Sequence, residues 1–139
     1  GLVSGAGFAD CGLDVTCIDI DAAKIAALRN GQVPFYEPGL AELLARNVAH
    51  GRLQFSTTMA DAIPGRSAVF LAVGTPMAEG GAADLSAIFR AANDVAEAAT
   101  GPLVLVTKST VPVCTADKIR NNIAEETLHN HLSKGGDCR

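Results

Sequence analysis

The stretch that decides the fold is Val15 to Lys24, VTCIDIDAAK. Its first residues are β-branched and apolar, which predicts a buried strand that ends at Asp19. Asp21 precedes a helical pattern, where its carboxylate can accept hydrogen bonds from the first free backbone N–H groups. An acid at the end of the second strand of a nucleotide-binding α/β unit accepts hydrogen bonds from both hydroxyls of an adenosine ribose. Because the same charge repels a 2′-phosphate, Asp19 predicts a preference for NAD over NADP.

A dinucleotide site of this kind also needs a glycine-rich turn about 20 residues before the acid. Gly1 lies 18 positions before Asp19, a spacing that suits the third glycine of G-x-G-x-x-G. The run from Gly1 to Ala9, GLVSGAGFA, is small and apolar and suits a helix packed tightly against a sheet. We therefore expect the first strand and the first two glycines to lie upstream of residue 1. The alternative is that Gly5 and Gly7 only make a loose N-terminal segment.

The composition favours a single α/β domain. The 139 residues are 48% hydrophobic but only 4% aromatic, so the core must consist of Ala, Val, Ile and Leu. Such aliphatic cores suit parallel sheets covered by helices on both faces. The net charge of −4, without a basic cluster, argues against nucleic acid as a partner. No apolar run approaches the roughly 20 residues that span a bilayer, so we expect no membrane segment.

The cysteines are scattered and contain no C-x-x-C pair: Cys11, Cys17, Cys114 and Cys138. This spacing predicts neither a metal site nor a disulfide framework. Such cysteine usage fits a reducing cytoplasm.

Helical and strand patterns alternate along the chain. Periodicity predicts helices over residues 2–11, 22–29, 40–48, 60–63, 84–99 and 115–128, and strands over residues 15–19, 53–56, 68–73 and 103–107. Gly12 is the predicted left-handed end of the first helix, and the apolar run AVFLAV at 68–73 predicts a central strand. The pattern therefore predicts a Rossmann-like doubly wound parallel sheet over residues 1–128, truncated before its first strand, and a disordered tail over residues 129–139.

Ligands of open parallel sheets bind beyond the carboxyl ends of the strands. That rule selects Asp19 and two turns, Gly74-Thr75-Pro76 and Lys108-Ser109-Thr110. Gly74 lets a ligand approach the backbone closely, and the threonines and Ser109 supply hydroxyl groups. The alternative is that each is an ordinary strand-ending turn, and the geometry alone names no reaction.

Five blocks follow one another along the chain: VTCIDIDAAKI, PFYEPGL, VFLAVGTP, GGAADLS and TKSTVPV. With these blocks the chain resembles the UDP-glucose/GDP-mannose dehydrogenase family from Gly1 to about Glu126. The order Val111-Pro112-Val113, without a leucine before the proline, resembles the UDP-glucose 6-dehydrogenase branch. Cys114 stands where many family members have glycine.

The resemblance implies roles for individual residues. Gly1 matches the third glycine of the dinucleotide fingerprint, and Asp19 and Lys24 match the residues that hold the adenosine ribose. Thr110 matches a threonine near the nicotinamide that also helps to hold a catalytic water. The remaining residues implied to surround the cofactor are Val73, Gly74, Thr75, Pro76 and Ser109. Glu37 and Pro38 match a loop near the rim of the cofactor domain, where a shape-setting role is expected.

The resemblance also implies a reaction and its partners. It implies two successive oxidations of UDP-glucose at C6, which consume two NAD and give UDP-glucuronate, in a homo-oligomeric enzyme. The family's N-P-E-F-L block, its catalytic cysteine and lysine and its sugar-nucleotide domain do not appear in the sequence. We therefore expect a fragment of the cofactor half that is inactive alone. The alternatives are a dehydrogenase for GDP-mannose or a UDP-N-acetylhexosamine, and a non-catalytic nucleotide-binding remnant.

Overall fold

The computed structural model describes residues 1–77 and 81–134. Its elements are, in order, α1 (Leu2–Asp10), β1 (Val15–Ile18), α2 (Ala22–Arg29), α3 (Leu40–Ala49), β2 (Leu53–Ser56), α4 (Met59–Ala62), β3 (Ala68–Leu71), α5 (Ser86–Ala98), β4 (Val104–Thr107) and α6 (Thr115–Lys134). They belong to two compact units, a first unit of Gly1–Pro64 and a second unit that begins at Gly65. Among the described residues, no helix combines the length and apolar character needed to cross a membrane.

The first unit is built on a parallel pair of strands. β1 and β2 run in register from Val15↔Leu53 to Ile18↔Ser56. The helices α1, α2 and α3 contribute aliphatic side chains to one core, as the low aromatic content predicts. Its buried members are Ala6, Ala9, Ile25, Leu28, Leu40, Leu44, Leu53 and Phe55.

The helix α1 ends in the left-handed turn that Gly12 predicts. Gly12 has φ of +95°, and its N–H donates to the Ala9 carbonyl at 3.0 Å. The N–H of Leu13 donates to the Phe8 carbonyl at 3.2 Å. These two bonds satisfy carbonyls that the end of a helix otherwise leaves without partners.

Small residues let α1 lie close to β1. A β-carbon built on Gly5 would lie 2.6 Å from Cys17 Sγ, whereas one built on Gly7 would have no neighbour within 4 Å. Gly5 is itself buried. The tight helix–sheet packing expected from the run of small residues is confirmed, and the alternative of a loose N-terminal segment is wrong.

A buried polar side chain connects α1, α3 and the start of β2. Asn47 is fully buried, and its Nδ2 donates to the Leu43 carbonyl at 2.9 Å and to Asp10 Oδ1 at 3.3 Å. Its Oδ1 accepts from Arg52 Nε at 3.2 Å. Arg46 Nη2 also donates to Asp10 Oδ1, at 2.6 Å. The hydrogen bonds from Arg46 and Asn47 hold the pKa of the Asp10 carboxyl below its ordinary value.

The second unit contains the other parallel pair. β3 and β4 run in register from Ala68↔Val104 to Leu71↔Thr107. The helix α5 contributes the buried side chains Ile88, Ala91, Ala92 and Val95. The pairing confirms the α/β class with parallel strands, although the described strands form two two-stranded sheets.

The apolar strand β3 is not buried on both faces. Phe70 is 44% exposed, and Val104 on β4 is 62% exposed. Among the described residues β3 pairs with β4 alone, so the central position predicted for this strand is not observed. A short apolar run does not by itself distinguish a strand covered on both faces from one with a single covered face.

Cys114 has a left-handed backbone, with φ of +67°. It is the one described non-glycine residue with positive φ, and it directly precedes α6. Only glycine adopts this conformation without a steric cost. The glycine that the family resemblance expects at this position therefore has a conformational reason.

The last helix is longer than the sequence predicts. α6 ends at Lys134 and so includes residues 129–134 of the predicted tail. Residues 135–139 lie outside the described part of the chain, as do residues 78–80, which include the first glycine of the GGAADLS block.

Candidate functional site

Asp21 fixes the first turn of α2. Its Oδ1 accepts from the Ala23 N–H at 2.9 Å and from the Lys24 N–H at 3.1 Å. Asp21 has the extended backbone of an N-cap residue, with φ of −78° and ψ of 101°. The predicted cap is confirmed, and it places Lys24 in the first turn of the helix.

The carboxylate of Asp19 has a partner on each oxygen. Oδ1 accepts from the Asp21 N–H at 3.1 Å, and Oδ2 accepts from Lys24 Nζ in an ion pair. Burial raises the pKa of Asp19, but the hydrogen bonds from Lys24 and from the Asp21 N–H outweigh it and lower the pKa below its ordinary value. Asp19 is therefore a carboxylate at neutral pH. Both side chains stay accessible, with 30% of Asp19 and 40% of Lys24 exposed.

The start of α1 offers backbone donors in the same unit. Gly1 is its N-cap residue and makes no side-chain cap hydrogen bond. Free N–H groups at a helix N-terminus suit a phosphate.

In the second unit, the turns after β3 and β4 are joined by side-chain hydrogen bonds. Ser109 Oγ donates to the Val73 carbonyl at 2.7 Å and lies 3.3 Å from the Leu71 carbonyl. Thr75 Oγ1 donates to the Thr110 carbonyl at 2.9 Å. The structure therefore brings Val73, Thr75, Ser109 and Thr110 together.

These bonds distinguish the three hydroxyl groups. The protons of Thr75 and Ser109 are engaged by backbone carbonyls, so these groups can offer an incoming molecule only acceptor lone pairs. The Thr110 hydroxyl makes no hydrogen bond within the described part of the chain, and the residue is exposed. Thr110 can therefore both donate to and accept from a ligand.

Gly74 and Pro76 shape the first of these turns. A β-carbon on Gly74 would have no neighbour within 4 Å, so packing in the described residues does not require glycine there. The Pro76 carbonyl accepts from the Asp84 N–H at 2.8 Å. This bond ties the turn to the residues that precede α5.

The loop between α2 and α3 borders an open cleft that the sequence analysis does not predict. The cleft has a volume of about 470 Å³, and residues 33–39 form most of its lining. Tyr36 is 90% exposed, and the Glu37 carbonyl accepts from the Leu40 N–H at 3.1 Å at the start of α3. Exposed aromatic residues between prolines carry no periodic signal, so the sequence pattern indicates neither a helix nor a strand in this segment.

Among the residues that the structure describes, Cys11, Cys17 and Cys114 are free thiols. Burial raises the pKa of the Cys17 thiol, as expected for a cysteine that serves as a small apolar residue. No group of three or more His, Cys, Asp and Glu side chains suited to a metal ion lies together in residues 1–77 and 81–134.

Comparison with known proteins gives one family. Residues 1–137 match the model of the UDP-glucose/GDP-mannose dehydrogenase family, NAD binding domain. A UDP-glucose 6-dehydrogenase of Rhizobium meliloti (strain 1021) is 52% identical over 126 residues, which are 90% of this chain and 29% of that protein. The chain thus spans less than one third of the length of this relative.

Solved structures of related dehydrogenases have the same fold. The UDP-glucose dehydrogenase of the archaeon Pyrobaculum islandicum is 36% identical, with a TM-score of 0.83 over 91% of this chain and 30% of that one. A ternary complex of GDP-mannose dehydrogenase from Pseudomonas aeruginosa is 28% identical, with a TM-score of 0.84 over the same shares, 91% and 30%. The Rossmann-like α/β fold is confirmed.

Proposed function

The chain belongs to the UDP-glucose/GDP-mannose dehydrogenase family as an NAD-binding domain, and on this premise we propose that it is the cofactor half of a UDP-glucose 6-dehydrogenase. The proposed enzyme oxidises UDP-glucose at C6 in two successive steps, gives UDP-glucuronate and consumes two NAD. The observation that carries the choice of sugar is the 52% identity to a UDP-glucose 6-dehydrogenase.

The first unit fits the adenosine half of NAD. Asp19 is an accessible carboxylate at the end of β1, where the two ribose hydroxyls need acceptors. We assign Gly1, at the start of α1, to the glycine turn beside the pyrophosphate, as the family resemblance implies. We assign Lys24 to the edge of the same ribose site because its ammonium group already contacts Asp19.

The joined turns of the second unit fit the nicotinamide half. NAD, when bound, accepts a hydride from the substrate carbon. We assign Val73, Gly74, Thr75, Pro76 and Ser109 to the shape of this part of the site. The Thr110 hydroxyl is assigned to the nicotinamide or to a catalytic water, because its proton is not engaged within the described residues.

A comparison of substrates tests the choice of sugar. The longer protein that carries this chain would be incubated with NAD and UDP-glucose, GDP-mannose or UDP-N-acetylmannosamine, and NADH absorbance followed. We expect the highest kcat/KM with UDP-glucose and two NADH per sugar. A higher value with either other sugar, or one NADH per sugar, would contradict the proposal. The chain alone, given NAD and UDP-glucose, is expected to show no turnover.

A variant pair tests the role of Thr110 in the same protein. Thr110→Ala should lower kcat more than it raises KM for UDP-glucose, and Thr110→Ser, which keeps the hydroxyl, should retain most of kcat. An unchanged kcat for Thr110→Ala would leave Thr110 as a turn residue. The proposal also includes homo-oligomeric assembly, as the family resemblance implies, and a cytoplasmic location. The free thiols at Cys11, Cys17 and Cys114 fit a reducing compartment.

A further inference from the structure

We propose that Lys24 is able to bind the 2′-phosphate of NADP, but that its ion pair with Asp19 prevents this binding. The Asp19–Lys24 pair thereby sets the choice between NAD and NADP. The inference rests on the proposed function, because it concerns the same ribose site. It assigns Lys24 a selectivity role in addition to its place at the ribose edge.

The position of Lys24 is fixed from two directions. Its backbone N–H is held by the Asp21 carboxylate at 3.1 Å, and its ammonium group is held by Asp19 Oδ2. The ammonium group therefore stands beside the carboxylate that would receive the ribose hydroxyls. A phosphate on the 2′-hydroxyl would enter the space next to both groups.

The ion pair determines what this phosphate would meet. With Asp19 ionised, the positive charge of Lys24 is balanced, and a 2′-phosphate of about −1.5 to −2 charges faces a carboxylate. Asp21 adds less repulsion, because its Oδ1 is engaged by two N–H groups at the positive end of α2. Asp19 is therefore the main charge that excludes the phosphate.

A neutral amide in place of the Asp19 carboxylate would reverse the preference against the 2′-phosphate. Its oxygen could still accept the Asp21 N–H or a ribose hydroxyl, but it would no longer balance the ammonium group. Lys24 is 40% exposed, so it can turn towards an anion without leaving a buried site. A single change at Asp19 would then convert a carboxylate that repels the phosphate into an amide beside a free cation.

Binding of adenosine 5′-monophosphate and adenosine 2′,5′-bisphosphate to the 139-residue chain tests this inference by NMR titration. We expect the wild type to bind the monophosphate more tightly than the bisphosphate. In Asp19→Asn the bisphosphate should gain at least tenfold in affinity relative to the monophosphate. Adding Lys24→Ala to Asp19→Asn should remove that gain, whereas adding Lys118→Ala, a lysine on the exposed surface of α6, should keep it.

The outcomes separate the inference from the proposed function. A gain that persists in Asp19→Asn/Lys24→Ala, or that never appears while the monophosphate still binds, would overturn the role of Lys24. A folded wild type, judged by its circular dichroism, that binds neither nucleotide would overturn both the inference and the ribose site. Asp19→Ser is a second neutral variant for the case in which Asp19→Asn does not fold.

Discussion

Gly5 on α1 lies against the thiol of Cys17 on β1, so closely that a β-carbon at Gly5 would lie 2.6 Å from the sulfur atom. Real β-carbons essentially never come so near another heavy atom, so a side chain at Gly5 must displace the Cys17 thiol, the helix or the strand. The contact lies between α1, whose start is proposed to adjoin the pyrophosphate, and β1, which is directly followed by Asp19.

Gly5→Ala should lower the free energy of unfolding by about 1–3 kcal/mol, because an extra methyl group in a filled space displaces the Cys17 side chain or the backbone of its strand. Gly7→Ala is the matched control on the same helix. A β-carbon at Gly7 would have no neighbour within 4 Å. Gly7→Ala should therefore raise the free energy of unfolding by about 0.5–1 kcal/mol, because alanine has the higher helix propensity. Urea unfolding measures both. In a Cys17→Ala background the cost of Gly5→Ala should shrink, and an equal cost there would contradict the assigned contact.

Cys114→Gly should raise the free energy of unfolding by about 1 kcal/mol, because it removes the steric cost of a side chain at φ of +67°. Cys114→Ala is the control, since it keeps a β-carbon in the same conformation and should change little. Urea unfolding gives the free energy of unfolding of both variants. The comparison requires that this free energy fall with urea concentration at the same slope in each. Equal stability of the two variants would contradict a steric cost of the β-carbon at this position.

Asp21→Ala should lower the free energy of unfolding by about 0.5–2 kcal/mol, because α2 loses the side chain that accepts hydrogen bonds from its first N–H groups. Asp21→Asn keeps an acceptor oxygen and should stay near the wild type. Amide hydrogen exchange localises the effect, since the N–H groups of Ala23 and Lys24 donate to Asp21. If these amides exchange no faster in Asp21→Ala, the cap is not what holds the start of the helix.

The ion pair of Asp19 should make stability depend on pH. Its pKa is lowered in the folded chain, so its stabilising contribution is fully present above the unfolded value of about 3.9 and is lost as the pH falls through the folded value. Unfolding by urea between neutral pH and pH 3 should therefore show a smaller acid-induced loss in Lys24→Met than in the wild type. Lys118→Met should retain the wild-type loss. Identical profiles for all three proteins would contradict the assignment.

Local signals predicted the first unit well. The Asp21 cap, the Gly12 turn and the small face of α1 are each specified by neighbouring residues, and each is observed as predicted. The resemblance to a family supplied the site residues, but it did not predict their hydrogen bonds. The pairing of Asp19 with Lys24 depends on where the first turn of α2 lies relative to the end of β1, which periodicity does not encode.

Longer-range features were less predictable. The hydroxyl of Ser109 is engaged by a carbonyl 36 residues earlier in the chain, and no local pattern reports such a partner. The sequence also predicted a central strand over residues 68–73, whose Phe70 is 44% exposed, because an apolar run looks the same whether one or both faces of a strand are covered. The end of α6 was missed although Gly135 directly follows Lys134, because residues 129–134 lack the apolar periodicity from which the helix was predicted.

The buried Asn47 has an evolutionary consequence. Its Nδ2 has two acceptors, Asp10 and the Leu43 carbonyl, but its Oδ1 accepts from Arg52, so loss of Arg52 removes that donor from a buried amide oxygen. A single change at position 52 therefore passes through an intermediate with a poorly satisfied buried polar atom. Among homologues, positions 47 and 52 should change together or remain fixed.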